Sequence, residues 1–521
     1  MNEGNNIRKV TKSALLVSIA SVITVAISFF KESVLAYCFG TSSDADAFAF
    51  SAELPITLLS FLSMAITIAM VPIYSKHKEK KGKKDADKFL NGFITFIIIF
   101  SVCFALIFEI FAPLLIDLIA PGLEQYTNSL AVNILRIVLL TACFNLLIKV
   151  NTCIANINDS FFLATLHPNI YSFCVIVFSV ALYKYIGIYA AVTGLMIGKI
   201  VEYIYTIFVR KKYYTFKISL NFKSEGMKEA YRLFLPVFVG IGVDEINKLV
   251  DQYFMSSFPS GSVASLHYAS KLSSGLSTLF VAAVATAIYP ELSKKEANNE
   301  LSETSRLYEF TIQLYNIILI PIIVGGVFIG KELVSIIYEH GAFDVESVDS
   351  TSPLFVFYLS GLLFSAVINI SYSMFYIKGT SKIPMINSII LVSLNILLDI
   401  VLVKTIGPIG LPLATTIATG VICIKVLIDV KKYNRLVSYI HNITSLLKII
   451  IASIIMLLTL VGVKYVLLDC PYLFESFPRL LYIIVATVVG FIVYSSCLYI
   501  LKVKEIAYVL QFIKKKLNFS R

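Results

Sequence analysis

Fourteen apolar segments follow one another along this chain with hardly a pause, and each is long enough to cross a bilayer. They lie at about 14–37, 47–74, 89–119, 129–156, 161–183, 186–209, 233–256, 263–290, 307–330, 352–376, 383–403, 407–430, 442–463 and 480–501. A helix needs about 20 apolar residues to span the hydrocarbon core. In lipid every backbone polar group must be bonded internally, so segments of this kind cross as helices. Little of the 521-residue chain is left over, and no connection is long enough to fold as a soluble catalytic domain. Charged residues make up 15% of the chain, against about 25% in ordinary soluble proteins. A soluble multidomain enzyme is therefore excluded. The predicted fold is an all-α polytopic membrane protein of about fourteen transmembrane helices.

The formal charge of +11 suggests nucleic acid until its location is considered. If the N-terminus is cytoplasmic, connections on that side carry 31 of the 44 Lys and Arg residues, the opposite side carries 5, and 8 lie within spans. The basic residues gather between Lys76 and Lys88, between Arg210 and Arg232, and at Lys514, Lys515 and Lys516. That is the positive-inside pattern. It predicts both termini in the cytoplasm and no nucleic-acid partner. Arg8, Lys9 and Lys12 precede the first span as in a signal peptide, but that span is too long and has no small-residue cleavage site, so it is read as a retained helix. Six of the eight cysteines fall within spans and none forms a Cys-x-x-Cys pair. They read as small hydrophobes. His77, His167, His267, His340 and His441 lack metal-ligand spacing.

The two halves repeat at an offset near 218 residues. Pro72, Ser75 and Lys76 match Pro290, Ser293 and Lys294, and Ser51-Ala52-Glu53-Leu54 overlies Ala269-Ser270-Lys271-Leu272. The Gly187 turn resembles the Gly410 turn, and both following spans end in Lys-Lys-Tyr, at 211–213 and 431–433. Six spans separate the copies, an even number, so the repeats share one orientation about an axis along the membrane normal. The expected domains are an N-lobe at 1–230, a C-lobe at 231–440 related to it by pseudo-twofold symmetry, and two further helices with a basic tail at 441–521.

Ionisable residues concentrate in the first two spans of each repeat: Lys31, Glu32, Asp46, Glu53, Asp244, Glu245, Lys248, Asp251 and Lys271. A charge at mid-membrane costs roughly 2.5–3.5 kcal/mol on insertion scales. These groups must face one another or water. They form either buried ion pairs joining helices or the wall of a hydrated cavity between the lobes, where transporters of this build bind their cargo. Arg136, Lys149, Lys199 and Glu202 either line the N-lobe side of such a cavity or snorkel to an interface, and snorkelling is the expectation. Leu333 to Phe343 reads as an amphipathic outer helix or a gate element.

Lys31-Glu32, Phe39-Gly40, Asp46-Ala47-Phe48 and Leu54-Pro55 resemble the opening of the MurJ/MviN family, lipid II flippases of the multidrug/oligosaccharidyl-lipid/polysaccharide exporter superfamily. Val250-Asp251 through Gly261-Ser262 to Tyr268-Ala269-Ser270-Lys271-Leu272, then Tyr338-Glu339-His340-Gly341-Ala342-Phe343, and Phe375-Tyr376 before Lys382-Ile383-Pro384 fit the same family in order and spacing. The resemblance implies transport of undecaprenyl-linked peptidoglycan precursor across the bacterial plasma membrane, for cell-wall synthesis. It places essential cations at Lys31 and Lys271, where the family usually has Arg, and it leaves Leu59 and Val25 at two further family Arg positions. Lysine keeps the charge but not the planar fork of arginine. The candidate substrate-binding residues are Lys31, Glu32, Asp46, Glu53, Lys248 and Lys271. A capsule or O-antigen repeat unit on the same type of carrier is an alternative cargo.

Asn395 and Asp399 are four residues apart and share a helix face. Thr415 follows Pro412, which is expected to free carbonyls near Pro408 to Leu411. With Asp251 they make a set of hard oxygen ligands suited to a small hard cation. The family resemblance implies a sodium site of this composition at Asp251, Asn395, Asp399 and Thr415. Proton coupling through Asp251 or Asp399, or a plain interhelical hydrogen-bond cluster, remain open at this point. No other cofactor is expected.

The functional reading is a secondary-active flippase working by alternating access, with a polyprenyl-linked lipid and membrane lipids as partners and a monomer as the working unit. A drug/cation antiporter of the same superfamily is the runner-up, although those transporters usually have twelve spans. A membrane glycosyltransferase or polymerase would need an acid/base constellation beside a large outer loop, and the chain has neither. It is not read as an enzyme.

Overall fold

A computed structural model describes the backbone of residues 2–158, 160–469 and 479–503. Within those ranges it describes side chains from residue 19 onward, apart from 60, 61, 64, 65, 233–244, 246, 440–442, 468 and 469. Asp244, His441, Cys470, the tail lysines 514–516 and the side chains of Arg8, Lys9 and Lys12 thus lie outside the described residues.

The described chain is helical apart from its connections, of which 212–224 is the longest. The helices are α1 (Asn2–Phe39), α2 (Ser43–Lys81), α3 (Lys83–Ile110), α4 (Ala112–Ile119), α5 (Gln125–Ile157), α6 (Phe161–Ile186), α7 (Tyr189–Lys211), α8 (Glu225–Met255) and α9 (Ser262–Leu276). They continue with α10 (Ala283–Ala297), α11 (Leu301–Phe328), α12 (Gly330–Tyr338), α13 (Val345–Ser360), α14 (Leu362–Ile377), α15 (Lys382–Ile406), α16 (Gly410–Tyr433), α17 (Ile440–Lys464) and α18 (Arg479–Ile500). Eleven runs of described residues are long and apolar enough to cross a membrane. One of them, Lys382–Tyr433, holds two helices parted by a short 3₁₀ turn over Gly407–Ile409. The long helices α2 and α8 bring the total to the fourteen expected. The protein is an all-α polytopic membrane protein.

Local chemistry sets the ends and the breaks. Ser42 caps α2 by accepting from the Ala45 N–H at 3.3 Å, with Asp44 and Asp46 in the first turn, where the helix dipole favours anions. Ser224 caps α8 in the same way through Met227. The third span breaks at Phe111, and Pro113 sits in the first turn of α4, a position that needs no N–H donor. A π-helical stretch over Ser277–Ala282 joins α9 to α10. The amphipathic segment near residues 333–343 is the short helix α12, which buries Val334, Ser335 and Tyr338.

The chain divides into two compact units. The first holds Met1–Tyr268 with His340–Ser347, and the second Ala269–Glu339 with Val348–Arg521. In the first, α1 packs on α6, α2 on α5 and α8, and α7 on α5 and α6. Its apolar core joins Leu62, Ile66 and Met70 of α2, Phe89 and Phe93 of α3, Leu146 and Val150 of α5, and Met227 of α8. In the second unit, α15 packs on α16, α11 on α14 and α17, and α17 on α18. The last pair builds its own buried layer from Ile449, Ala452, Met456, Tyr482, Ala486 and Tyr494.

Two readings of the α15–α16 region need correction. The glycine that answers Gly187 is Gly407, not Gly410. Gly187 and Gly407 each cap the preceding helix at φ +57° and +72°, with nearly the same ψ, whereas Gly410 already has helical angles and lets α16 close on the Leu402 backbone. Pro412 lies in the first turn of α16 and so does not interrupt a helix. The carbonyl of Leu411 is taken by the Thr415 hydroxyl at 3.2 Å.

Candidate functional site

Within the first unit, α1 delivers Lys31 and Glu32 as neighbours. The Lys31 ammonium lies 2.8 Å from Glu32 Oε1, with the two side chains 12% and 1% exposed. The other Glu32 oxygen, Oε2, is 3.2 Å from His267 Nε2. The far side of that imidazole, Nδ1, stands 3.8 Å from Glu53 Oε1 on α2. Lys31 also lies 5.2 Å from the ring centre of Tyr171 on α6, within range of a cation–π attraction.

A second group of the same make-up stands on α6 and α7. Lys199 Nζ lies 2.9 Å from Glu202 Oε2, and His167 Nδ1 lies 2.6 Å from Glu202 Oε1. Lys199 approaches the same Tyr171 ring, 4.5 Å from its centre. Lys199 and Glu202 therefore do not snorkel. The ammonium points inward and the carboxylate is 2% exposed, because each finds an opposite charge inside the unit. Arg136 does stay at the surface, 3.7 Å from Glu109. Arg210, counted in the sequence as a loop cation, is buried and donates to Asn151 Oδ1 at 3.0 Å. A cavity of about 10 Å³ borders Glu32 and His267, room for one water molecule.

Asp46 makes a separate set of contacts. It accepts the Gly261 N–H at 2.5 Å on Oδ2 and the Ala264 N–H at 2.7 Å on Oδ1, so both oxygens face the start of α9. The surrounding backbone is packed without side chains between its strands of chain. A Cβ on Gly40 would meet the Ala342 carbonyl oxygen at 2.3 Å, one on Gly261 the Thr41 oxygen at 2.2 Å, and one on Gly341 the Tyr37 oxygen at 2.4 Å. All three glycines have positive φ, a region costly to side-chain-bearing residues. The Ala342 N–H donates to the Tyr37 carbonyl at 2.9 Å, and the Tyr268 and Phe343 rings meet edge to face at 5.5 Å. Phe39-Gly40, Asp46, Gly261-Ser262, Tyr268 and His340 to Phe343, scattered along the sequence, thus form one knot.

Lys248 and Lys271 are the remaining expected substrate residues. Lys248 is 64% exposed and pairs with Glu245 on its own helix at 3.0 Å. Lys271 belongs to the second unit, half-buried on α9, where its carbonyl accepts from Ser274.

In the second unit, Asn395 and Asp399 are both fully buried on one face of α15. Asn395 Nδ2 donates to Thr415 Oγ1 at 3.2 Å, which joins α15 to α16. Asp251 lies in the first unit, buried on α8. Nearer the end of α16, Lys425 bonds Asp429 at 2.8 Å and Asn387 of α15. It ties the two helices together. Among the described residues no three His, Cys, Asp or Glu side chains gather into a metal site.

Tyr171, His167 and His267 are the site residues that sequence reasoning missed. Their partners lie far off in the chain, His267 being 235 positions from Glu32. The one local signal is Lys199 and Glu202, three residues apart in the middle of α7, whose other charged residues lie in its last turn.

A family model described as lipid II flippase MurJ matches residues 35–483. The chain is 30% identical over 493 residues to the lipid II flippase MurJ of Thermosipho africanus, covering 94% of this chain and 96% of the relative. It is 26% identical over 419 residues to a probable lipid II flippase MurJ of Buchnera aphidicola from Schizaphis graminum, covering 79% and 81%. Among solved structures, a lipid II flippase MurJ in an inward closed conformation superposes with a TM-score of 0.80 at 26% identity, covering 94% of this chain and 99% of that one. An inward-facing multidrug resistance MATE transporter shares the fold at a TM-score of 0.69 and 14% identity, and all but 2% of it covers only 81% of this chain. With the family model matching most of its length, the chain belongs to the MurJ lipid II flippase family.

Proposed function

We propose that the protein carries a polyprenyl-diphosphate-linked glycan precursor, lipid II in the first instance, from the inner to the outer leaflet of the bacterial plasma membrane by alternating access. Family membership supports the cargo. One observation carries the reading on this chain. Lys31, within a membrane helix, meets a single carboxylate oxygen among the described residues, and an ammonium has three donors. The remainder suit a phosphate, which Lys binds as a point charge. Lys271 is the second cation of the reading, and Glu32 and Glu53 orient the first. Lys248 is assigned to the rim, and Asp46 to holding the Gly261 turn. A capsule or O-antigen unit on the same carrier would use the same cations, and the lipid that accompanies the purified protein separates the two.

Residues 1–230 and 231–440 serve as the two lobes in this account, with 441–521 as an appended helix pair and both termini in the cytoplasm. The working unit is a monomer. Asp251, Asn395, Asp399 and Thr415 are proposed to hold a sodium ion that biases the cycle. The Asn395–Thr415 contact and the burial of Asp399 support this set, and a proton on Asp399 or Asp251 is the competing reading.

The test is genetic. In a strain depleted of its own lipid II flippase, the parent gene restores growth, while Lys31→Ala and Lys271→Ala insert normally and do not. Normal growth of both variants refutes the phosphate-binding role.

A further inference from the structure

A groove of about 700 Å³ runs beside the end of α16, within the second unit. That volume is in the range of ligand pockets, roughly 300–1,000 Å³. Ile424, Leu427 and Ile428 line it along the helix, and Lys431, Lys432 and Arg435 line it where the helix gives way to the next connection. Ile424, Ile428 and Lys431 follow the i, i+4, i+7 spacing of one helix face. The groove therefore changes from apolar to cationic over about 10 Å of helix rise.

The turn that carries Arg435 is held in place. Asn434 is buried and donates to Ser305 Oγ at 2.8 Å, and the Ser438 N–H donates to Glu309 at 2.6 Å. Tyr439, also a lining residue, donates its hydroxyl to the Leu427 carbonyl at 2.9 Å. Among the described residues none of the three cations enters an ion pair. Asp429, the acid on the same stretch of α16, is held by Lys425 and Asn387 instead.

We propose that this groove binds an anionic phospholipid, its phosphate among Lys431, Lys432 and Arg435 and one acyl chain along Ile424, Leu427 and Ile428. The site lies outside the cargo reading and does not rest on it. Both halves of the groove choose the ligand. Arginine meets phosphate oxygens in pairs and lysine meets them as a point charge, so the cationic end suits one phosphodiester. Ile424 and Ile428 are 63% and 49% exposed, a cost in water and none against hydrocarbon. A soluble anion would leave that apolar wall uncovered. A zwitterionic lipid would bring an ammonium of its own to three cations. The charge pattern assigns this end of α16 to the cytoplasmic side, where the leaflet carries anionic lipid and basic pockets beside membrane helices bind its headgroups.

The experiment uses the full chain in detergent and native mass spectrometry. The probes are dioleoyl phosphatidylglycerol, dioleoyl phosphatidylcholine with the same chains, and glycerol phosphate with none. The parent should retain phosphatidylglycerol about tenfold better than phosphatidylcholine, as three cations at a membrane surface allow, and should hold glycerol phosphate far more weakly. Lys431→Gln/Lys432→Gln/Arg435→Gln should lose the preference. Lys211→Gln/Lys212→Gln/Lys217→Gln removes the same charge from exposed positions of the first unit and should keep it. All six side chains are exposed, so equal melting midpoints check that both triples fold. Ile424→Ser/Ile428→Ser should weaken both phospholipids severalfold and leave their ratio unchanged. An unchanged preference in the α16 triple overturns the proposal, and so does an equal loss in the two triples, which would make the attraction one of net charge. A parent that binds glycerol phosphate as tightly as phosphatidylglycerol, or that retains neither lipid, overturns it as well.

Discussion

Replacing Asp46 isolates the knot that joins the α1–α2 turn to the start of α9. The carboxylate is buried and accepts two backbone N–H groups, from Gly261 at 2.5 Å and Ala264 at 2.7 Å. Hydrogen bonds to a charged group contribute about 1.5–3 kcal/mol each, and a buried donor left unmet costs about 1–3 kcal/mol. Asp46→Ala loses both bonds and leaves both donors unmet. A local loss of about 3–5 kcal/mol follows, less than the sum because the turn can relax and admit water. Asp46→Asn can satisfy one N–H through its amide oxygen while its NH₂ opposes the other, for about 2 kcal/mol. Hydrogen exchange of the Gly261 and Ala264 amides, followed by mass spectrometry, reads this directly. At 1.4 kcal/mol per tenfold, protection should fall by about a hundredfold or more in Asp46→Ala and by about thirtyfold in Asp46→Asn. The lysine–glutamate–histidine groups around Tyr171 should keep theirs. Protection unchanged in both variants would refute the anchoring role and return Asp46 to the list of groups that could meet the cargo.

Glycine substitutions separate two costs in one experiment. Gly341→Ala should lower the melting midpoint well beyond Gly379→Ala: both have positive φ, costing about 1–2 kcal/mol, but only at 341 would the Cβ strike backbone, the Tyr37 oxygen at 2.4 Å. Equal losses at the two sites would remove the close-packing argument. Asp344 caps α13 by accepting the Ser347 N–H at 2.9 Å and its hydroxyl at 2.8 Å, which holds its carboxyl below the ordinary aspartate range. A depressed acid stabilises the fold above its unfolded pKa of about 4 and loses that contribution as pH falls through the lower folded value. The melting midpoint of the parent should therefore drop more steeply below pH 4 than that of Asp344→Asn, and parallel curves would contradict the cap. Sodium should raise the parent's melting midpoint where potassium does not, by an amount set by concentration over Kd. Asp399→Asn should weaken that response, and equal effects of the two ions on the parent would show the ion site to be wrong.

Much of this architecture is legible in the sequence because a membrane helix is specified locally. Each span needs only its own apolar run, and turn chemistry such as Ser42 with Asp44 or Pro113 marks its ends. The tertiary polar contacts have no such local code. Glu32 reads equally well as a cavity group or an ion pair until His267 is found beside it, and Glu202 looks free to snorkel until His167 and Lys199 close on it. The glycines of Phe39-Gly40, Gly261-Ser262 and His340-Gly341 are visible as motifs, but their reason is a three-way backbone contact that only the folded chain displays. Gly407 and Gly410 are indistinguishable as letters; φ alone tells which one turns the chain. Asn395 and Thr415 meet across the short turn between α15 and α16, a contact that helix periodicity alone does not specify.

Lys31 is the hinge of the functional account, and the lipid that stays with the protein tests it most directly. Native mass spectrometry of the protein extracted from its own membranes should show a bound polyprenyl-diphosphate glycan on the parent, and should show it lost from an equally stable Lys31→Gln variant. A parent that carries only bulk phospholipid, or a variant that retains the glycan lipid in equal amount, would contradict the account.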